Sequence, residues 1–200
     1  MHLDGDYGET NWRGINQAAL DSNDFIKSSA ARMNDYYLKT DANGVMQYTM
    51  CHELGHAFGV PHSDEDFEND DLGNCMDYSR NFEVSKHPDE SNYNYLVDLY
   101  GLVPSRRRYL RRGVGNDERP PSLMIDEDSA DDVAMQQRTE PIPEHIAEKM
   151  QEHVRRLEQG LEDHEAQAHG WKLLHRSEHG EEHEMALEDG YKVRVHLLLA

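Results

Sequence analysis

The sequence predicts an α+β chain, and three stretches carry that prediction. His52 and His56 stand four apart within the run Val45 to Val60, which puts two imidazoles about 40° apart on one helical face. Ile146, Met150, Val154, Leu157 and Leu161 recur at three and four residues, the stripe of an amphipathic helix. Trp171 to Arg176 and Tyr191 to Leu199 alternate as strands do, joined through a glycine-containing stretch as a small antiparallel hairpin or meander. With 200 residues, 36% hydrophobic and 30% charged, the chain has material for one modest core and solvated segments beside it.

The elements follow in order. Asp24 to Asp35 reads equally as a short helix or an edge strand. Val45 to Val60 is a helix that must end at Gly59, which tolerates a positive φ, with Pro61 reinforcing the stop. Asp64 to Asp71, DEDFENDD, clusters carboxylates without the spacing of a defined Ca²⁺ loop, so a solvated acidic loop is preferred to a calcium site. Tyr93, Leu96, Val97 and Tyr100 give a further helix over Asn92 to Tyr100. SRRRYLRRG, from Ser105 to Gly113, and the proline- and acid-containing stretch after it have no apolar period and read as a charged, disordered linker. Pro143 suits the first turn of the amphipathic helix, whose stripe packs on its own domain or receives a partner. The histidines between 145 and 196 match no ligand spacing and are expected mostly to face solvent. The resulting division is 1–103, 104–143 as linker, 144–169 as helix and 170–200 as a small β unit.

The chemistry is concentrated in HELGHAFGVPH, from His52 to His62. If the chain reverses at Gly59, His62 reaches the ion that His52 and His56 share, and three neutral imidazoles leave the fourth tetrahedral position of Zn²⁺ to water. Glu53 sits beside the pair without joining it, as a general base should. Together with Met76 in GNCMDY, the pattern HExxHxxGxxH resembles the metzincin metallopeptidases. The fuller string from Met50 to Tyr78 is similar to matrixin-like proteins of fungi and other microbes, as are GDYGETNWRGINQA and HPDESNYNYLVDLYG. Ser63 fits that subgroup, although the interval from His62 to Met76 is longer than matrixins use. The likeness spans roughly residues 5 to 101 and, more loosely, the last thirty.

What the resemblance implies is specific. The fold would be a metzincin-like catalytic domain: an N-terminally shortened mixed sheet, the active-site helix, a Met-turn and a closing helix. It favours a strand for Asp24 to Asp35, lying along the cleft and pairing with substrate backbone. The activity would be zinc-dependent hydrolysis of internal peptide bonds, through a zinc-bound water activated by Glu53. Met76 would support the imidazoles from below. Asp77 would stabilise the turn or, less favoured, accept from a ligand imidazole, and Tyr78 would either donate to the developing oxyanion or pack under the turn. The rival is an inactive zinc-binding or interaction module left by N-terminal truncation, since metzincins carry strands and a helix ahead of the region where this chain starts.

Cys51 and Cys75 flank His52 and Met76, which must meet. A disulfide is preferred to thiolate ligation, and it implies an oxidising compartment and hence a secreted full-length form. MHLDGDYGETNW carries no secretion signal, so the chain would be cytoplasmic if complete. No run of eighteen apolar residues provides a membrane span. The formal net charge of −20 argues against nucleic-acid and anionic-membrane partners and favours protein or peptide substrates of basic character. Oligomeric state is not readable from the chain.

Overall fold

A computed structural model describes residues 2–39, 42–101, 141–158 and 169–200. Its centre is one sheet of six strands: β1 (His2–Gly5), β2 (Trp12–Leu20), β3 (Ile26–Asn34), β4 (Lys172–Arg176), β5 (Gly180–Ala186) and β6 (Lys192–Leu199). Their order across the sheet is β1-β3-β2-β6-β5-β4. Five of them run antiparallel to their neighbours, and β1 pairs parallel with the end of β3. The end of the chain, expected to form a small unit of its own, instead continues the N-terminal sheet. β6 pairs with β2 from Trp12↔Leu199 to Leu20↔Lys192.

Helices cover both faces. α1 (Asp35–Leu38) is a single turn leading out of β3, α2 (Val45–Ala57) is the histidine-bearing helix, α3 (Glu90–Tyr100) closes the N-terminal part, and α4 (Glu144–Glu158) is the amphipathic helix. Alternation along the strands divides the side chains between them. Ile15, Ala19, Val193 and Val195 turn to one face, where they form a core with Met150 and Val154 of α4 and with Trp171 and Met185. The stripe of α4 therefore packs on its own chain, with Ile146, Met150 and Val154 buried. Tyr48, Val60, Cys75, Met76, Tyr78 and Leu198 make a second core on the face of α2. The linker region 104–143, apart from Pro141 to Pro143, lies outside the described residues, as does Leu161.

Local chemistry explains the ends of the helices. At the end of α2 the Val60 N–H reaches Gly55 O at 3.0 Å and the Gly59 N–H reaches His56 O at 2.9 Å, the paired bonds of a Schellman stop. Gly59 adopts φ +82° there, the left-handed conformation its place in the motif requires. α3 starts on a capping box: Asp89 accepts from the Asn92 N–H and Asn92 accepts from the Asp89 N–H, each at 3.1 Å. Of the α3 stripe only Leu96 packs against the core, while Tyr93, Val97 and Tyr100 are exposed. Asp24 to Asp35 is mostly strand. β3 lies inside the sheet between β1 and β2, and its first residue, Ile26, lines a cavity that reaches His56 and His62.

Candidate metal centre

Three imidazoles meet above β2. His56 Nε2 stands 3.1 Å from His52 Nε2 and 3.0 Å from His62 Nε2. The other nitrogen of each ring is already engaged: His52 Nδ1 lies 2.8 Å from Cys75 O, His56 Nδ1 3.0 Å from Val60 O, and His62 Nδ1 2.6 Å from Glu65 Oε1. A carbonyl or carboxylate oxygen can only accept, so Nδ1 is the protonated nitrogen on each neutral ring. Burial holds all three rings below the ordinary histidine range, His52 and His56 well below it. Three lone pairs thus face one another, an arrangement that repels itself unless a cation lies between them.

The chain builds this convergence from separate local pieces. Helical spacing aligns His52 and His56, and the stop at Gly59 returns the chain so that Val60 O orients His56. His62 is set by the loop that follows, where the Ser63 N–H bonds Met76 O at 2.8 Å and the Tyr78 N–H bonds Asp64 O at 3.1 Å. The Cys51–Cys75 disulfide, with Cα atoms 5.8 Å apart, ties the helix to the turn whose Cys75 carbonyl orients His52. Met76 is buried beneath α2, its sulfur seated on Gly55, where a β-carbon would stand 2.2 Å from it.

The remaining expected residues occupy defined places. Glu53 is fully buried, with Oε2 3.4 Å from His196 Nδ1 and Oε1 unpartnered among the described residues. Burial raises its carboxyl well above the usual range, and the nearby Arg13 guanidinium opposes that rise. Asp77 serves the turn: its carboxylate accepts from the Leu72 N–H at 2.9 Å and its carbonyl from the Tyr48 hydroxyl. The imidazole acceptor is Glu65, which also meets His175 Nε2 at 2.7 Å. Tyr78 is buried with its ring 4.6 Å from that of His62. Its hydroxyl lies against Gly180 on β5, and burial raises its pKa. Asp64 and Asp66 bond the N–H groups of Asp66 and Glu68, and Asp71 accepts from the Ser79 hydroxyl. The acidic loop thus spends several of its carboxylates on its own turns.

Sequence reasoning missed His196. This residue of β6, one of a set of histidines expected mostly to face solvent, is 7% exposed and sits opposite Asn16 of β2. Together with His52, His56 and His62 it forms a group whose ligand atoms all lie within 4.8 Å of one another and could hold a metal ion. His183 is buried as well, and His175 bonds Glu65, so the C-terminal histidines are not simply solvent-facing. The available signal was alternation: in KVRVHLLL, His196 shares a strand face with Arg194 and Leu198. A cavity of about 450 Å³ opens beside the cluster, lined by His56, His62 and His196, with Ala18, Leu20 and Arg194 from the sheet.

No family model, no curated protein and no solved structure matches the chain. The metzincin resemblance accordingly rests on the residues of the motif. Among the described residues no helix is long and apolar enough to cross a membrane.

Proposed function

We propose that the chain is a zinc-dependent metalloendopeptidase of metzincin type. The observation carrying this reading is the set of three Nε2 atoms freed by their Nδ1 hydrogen bonds and directed at one point, with Glu53 next to them. The donor set fits zinc. Bonds of 2.0–2.1 Å at tetrahedral angles put neighbouring nitrogens about 3.3 Å apart, close to the 3.0 and 3.1 Å found. His52, His56 and His62 would hold the ion, and Cys75 O, Val60 O and Glu65 would fix their tautomers.

When bound, zinc brings the pKa of a water to about 7 and polarises a carbonyl. The rest falls to the chain. Glu53 accepts the proton of the attacking water and returns it to the leaving amine. Tyr78, beside His62, is the candidate donor to the oxygen on which charge develops. Met76 and the disulfide keep the imidazoles in register. Proteins or peptides are the proposed substrates, and the disulfide is compatible with a secreted form. A non-catalytic zinc module is the second reading, favoured by the fourth histidine and by the complete burial of Glu53.

Metal analysis and casein cleavage test the proposal. The expected result is one zinc per chain, with the cleavage shown by wild type or by His196→Ala lowered about 10²- to 10⁴-fold when Glu53→Ala is introduced and zinc is retained. Zinc held tightly, with neither wild type nor His196→Ala cleaving casein faster than Glu53→Ala, would favour the module.

A further inference from the structure

We propose that the C-terminal strand is a built-in occupant of the substrate's place: β6 takes the edge of β2 beside the histidine cluster, and His196 supplies a fourth nitrogen that closes the coordination of the metal. The proposal rests on the zinc-hydrolase reading and adds its regulation. In this conformation the protein is latent.

The sheet supplies the first half of the argument. An extended peptide is held most simply by adding to a strand edge. β2 has two edges, one paired with β3 and the other filled by β6 through eight residue pairs. Asn16, Ala18 and Leu20 of β2 line the cavity beside the metal cluster together with Arg194 and His196 of β6. A peptide seeking the backbone of β2 next to the imidazoles therefore finds that place taken by the chain itself. The occupant is firmly seated, because Val193, Val195 and Leu198 of β6 are buried in the cores on the two faces of the sheet.

His196 supplies the second half. Its ring centroid lies 4.1, 5.0 and 5.3 Å from those of His56, His62 and His52, comparable to the 4.7–5.1 Å that separate those three from one another. Its Nε2 is buried without a hydrogen-bond partner among the described residues. An orphaned imidazole nitrogen beside three converging ones is accounted for if all four bind one ion. Three protein ligands leave a zinc vertex for water, whereas four make the closed arrangement of structural sites. The side chain that would fill the vertex also touches the general base, with Nδ1 3.4 Å from Glu53 Oε2.

Cobalt(II) replacing zinc in the full-length chain gives a direct readout. The wild-type visible spectrum should not respond to added acetohydroxamate, a small chelating ligand that needs an open position. His196→Ala should keep the metal, bind zinc at least the ~10-fold more weakly that loss of even an outer partner costs, and change its spectrum with hydroxamate. His196→Gln, which retains a polar group toward Glu53, should respond in the same way. A wild-type spectrum that shifts when hydroxamate is added overturns the closure, and that measurement needs no variant to fold. Unchanged zinc affinity and spectrum in His196→Ala overturn it too. If the chain takes up no metal, or His52→Ala and His56→Ala hold it as tightly as wild type, the zinc reading falls and the closure with it.

Discussion

At the scale of single residues, the site depends on contacts that have no slack. Gly55 lies on the face of α2 that receives Met76, whose sulfur occupies the space a β-carbon would need. Met76 in turn adjoins Cys75, the residue whose carbonyl orients His52. Gly55→Ala must therefore push the thioether away and disturb the acceptor next to it. The expected cost is about 1–3 kcal/mol in urea unfolding, the range for overpacking a core, together with weaker zinc binding in a chelator competition. Met76→Leu, close in volume, should cost less than about 1.5 kcal/mol and leave zinc binding nearly intact. Equal losses of affinity in the two variants would mean that filling this space, and not the seat on Gly55, holds the histidines.

At the scale of elements, α3 shows how much a short polar motif decides. Its start is fixed by the reciprocal bonds of Asp89 and Asn92, while most of its apolar stripe remains exposed. Asp89→Ala should lower stability by about 1 kcal/mol, measured by thermal or denaturant unfolding. A change near zero would show that Leu96 packing alone fixes this helix. The contrast between motif and packing also separates what the sequence made legible from what it did not. The spacing of His52, His56, Gly59 and His62 is local, so helix, stop and return could be read before any contact was known, as could the stripe of α4. The pairing of β2 with β6 joins the two ends of the chain, and no local period encodes it. β5 was hidden for a different reason: GEEHEMA is acidic and poor in strand formers. It is held by its neighbours, with Glu184 2.7 Å from Arg194 of β6 and Glu181 2.8 Å from Arg176 of β4. His196 stayed hidden with them, because a ligand contributed by strand pairing leaves no spacing to find.

At the scale of the whole molecule, a metal at this centre would add a direct bond between parts of the fold that otherwise meet through the sheet, the second core and the disulfide. Two of the four imidazoles lie on α2, one on the loop beyond it and one on β6. An ion bound only by the folded state stabilises it by RT ln(1 + [L]/Kd), about 4 kcal/mol when free metal exceeds Kd a thousandfold. For a chain of this size that corresponds to a fall in Tm on the order of 10 °C when EDTA removes the metal, reversed by adding zinc. The location of the loss is more telling than its size. If His196 is a ligand, chelation should speed hydrogen exchange at β6 amides as well as through α2, whereas α4, which packs on the opposite face of the sheet, should keep most of its protection. If three histidines alone hold the ion, exchange should quicken in α2 and the loop around His62 while β6 keeps its protection. A shift in Tm with no local pattern would mean that the sheet and α2 unfold as one unit, since the Cys51–Cys75 bridge ties the helix only to the Met76 loop and leaves β6 to be held by packing.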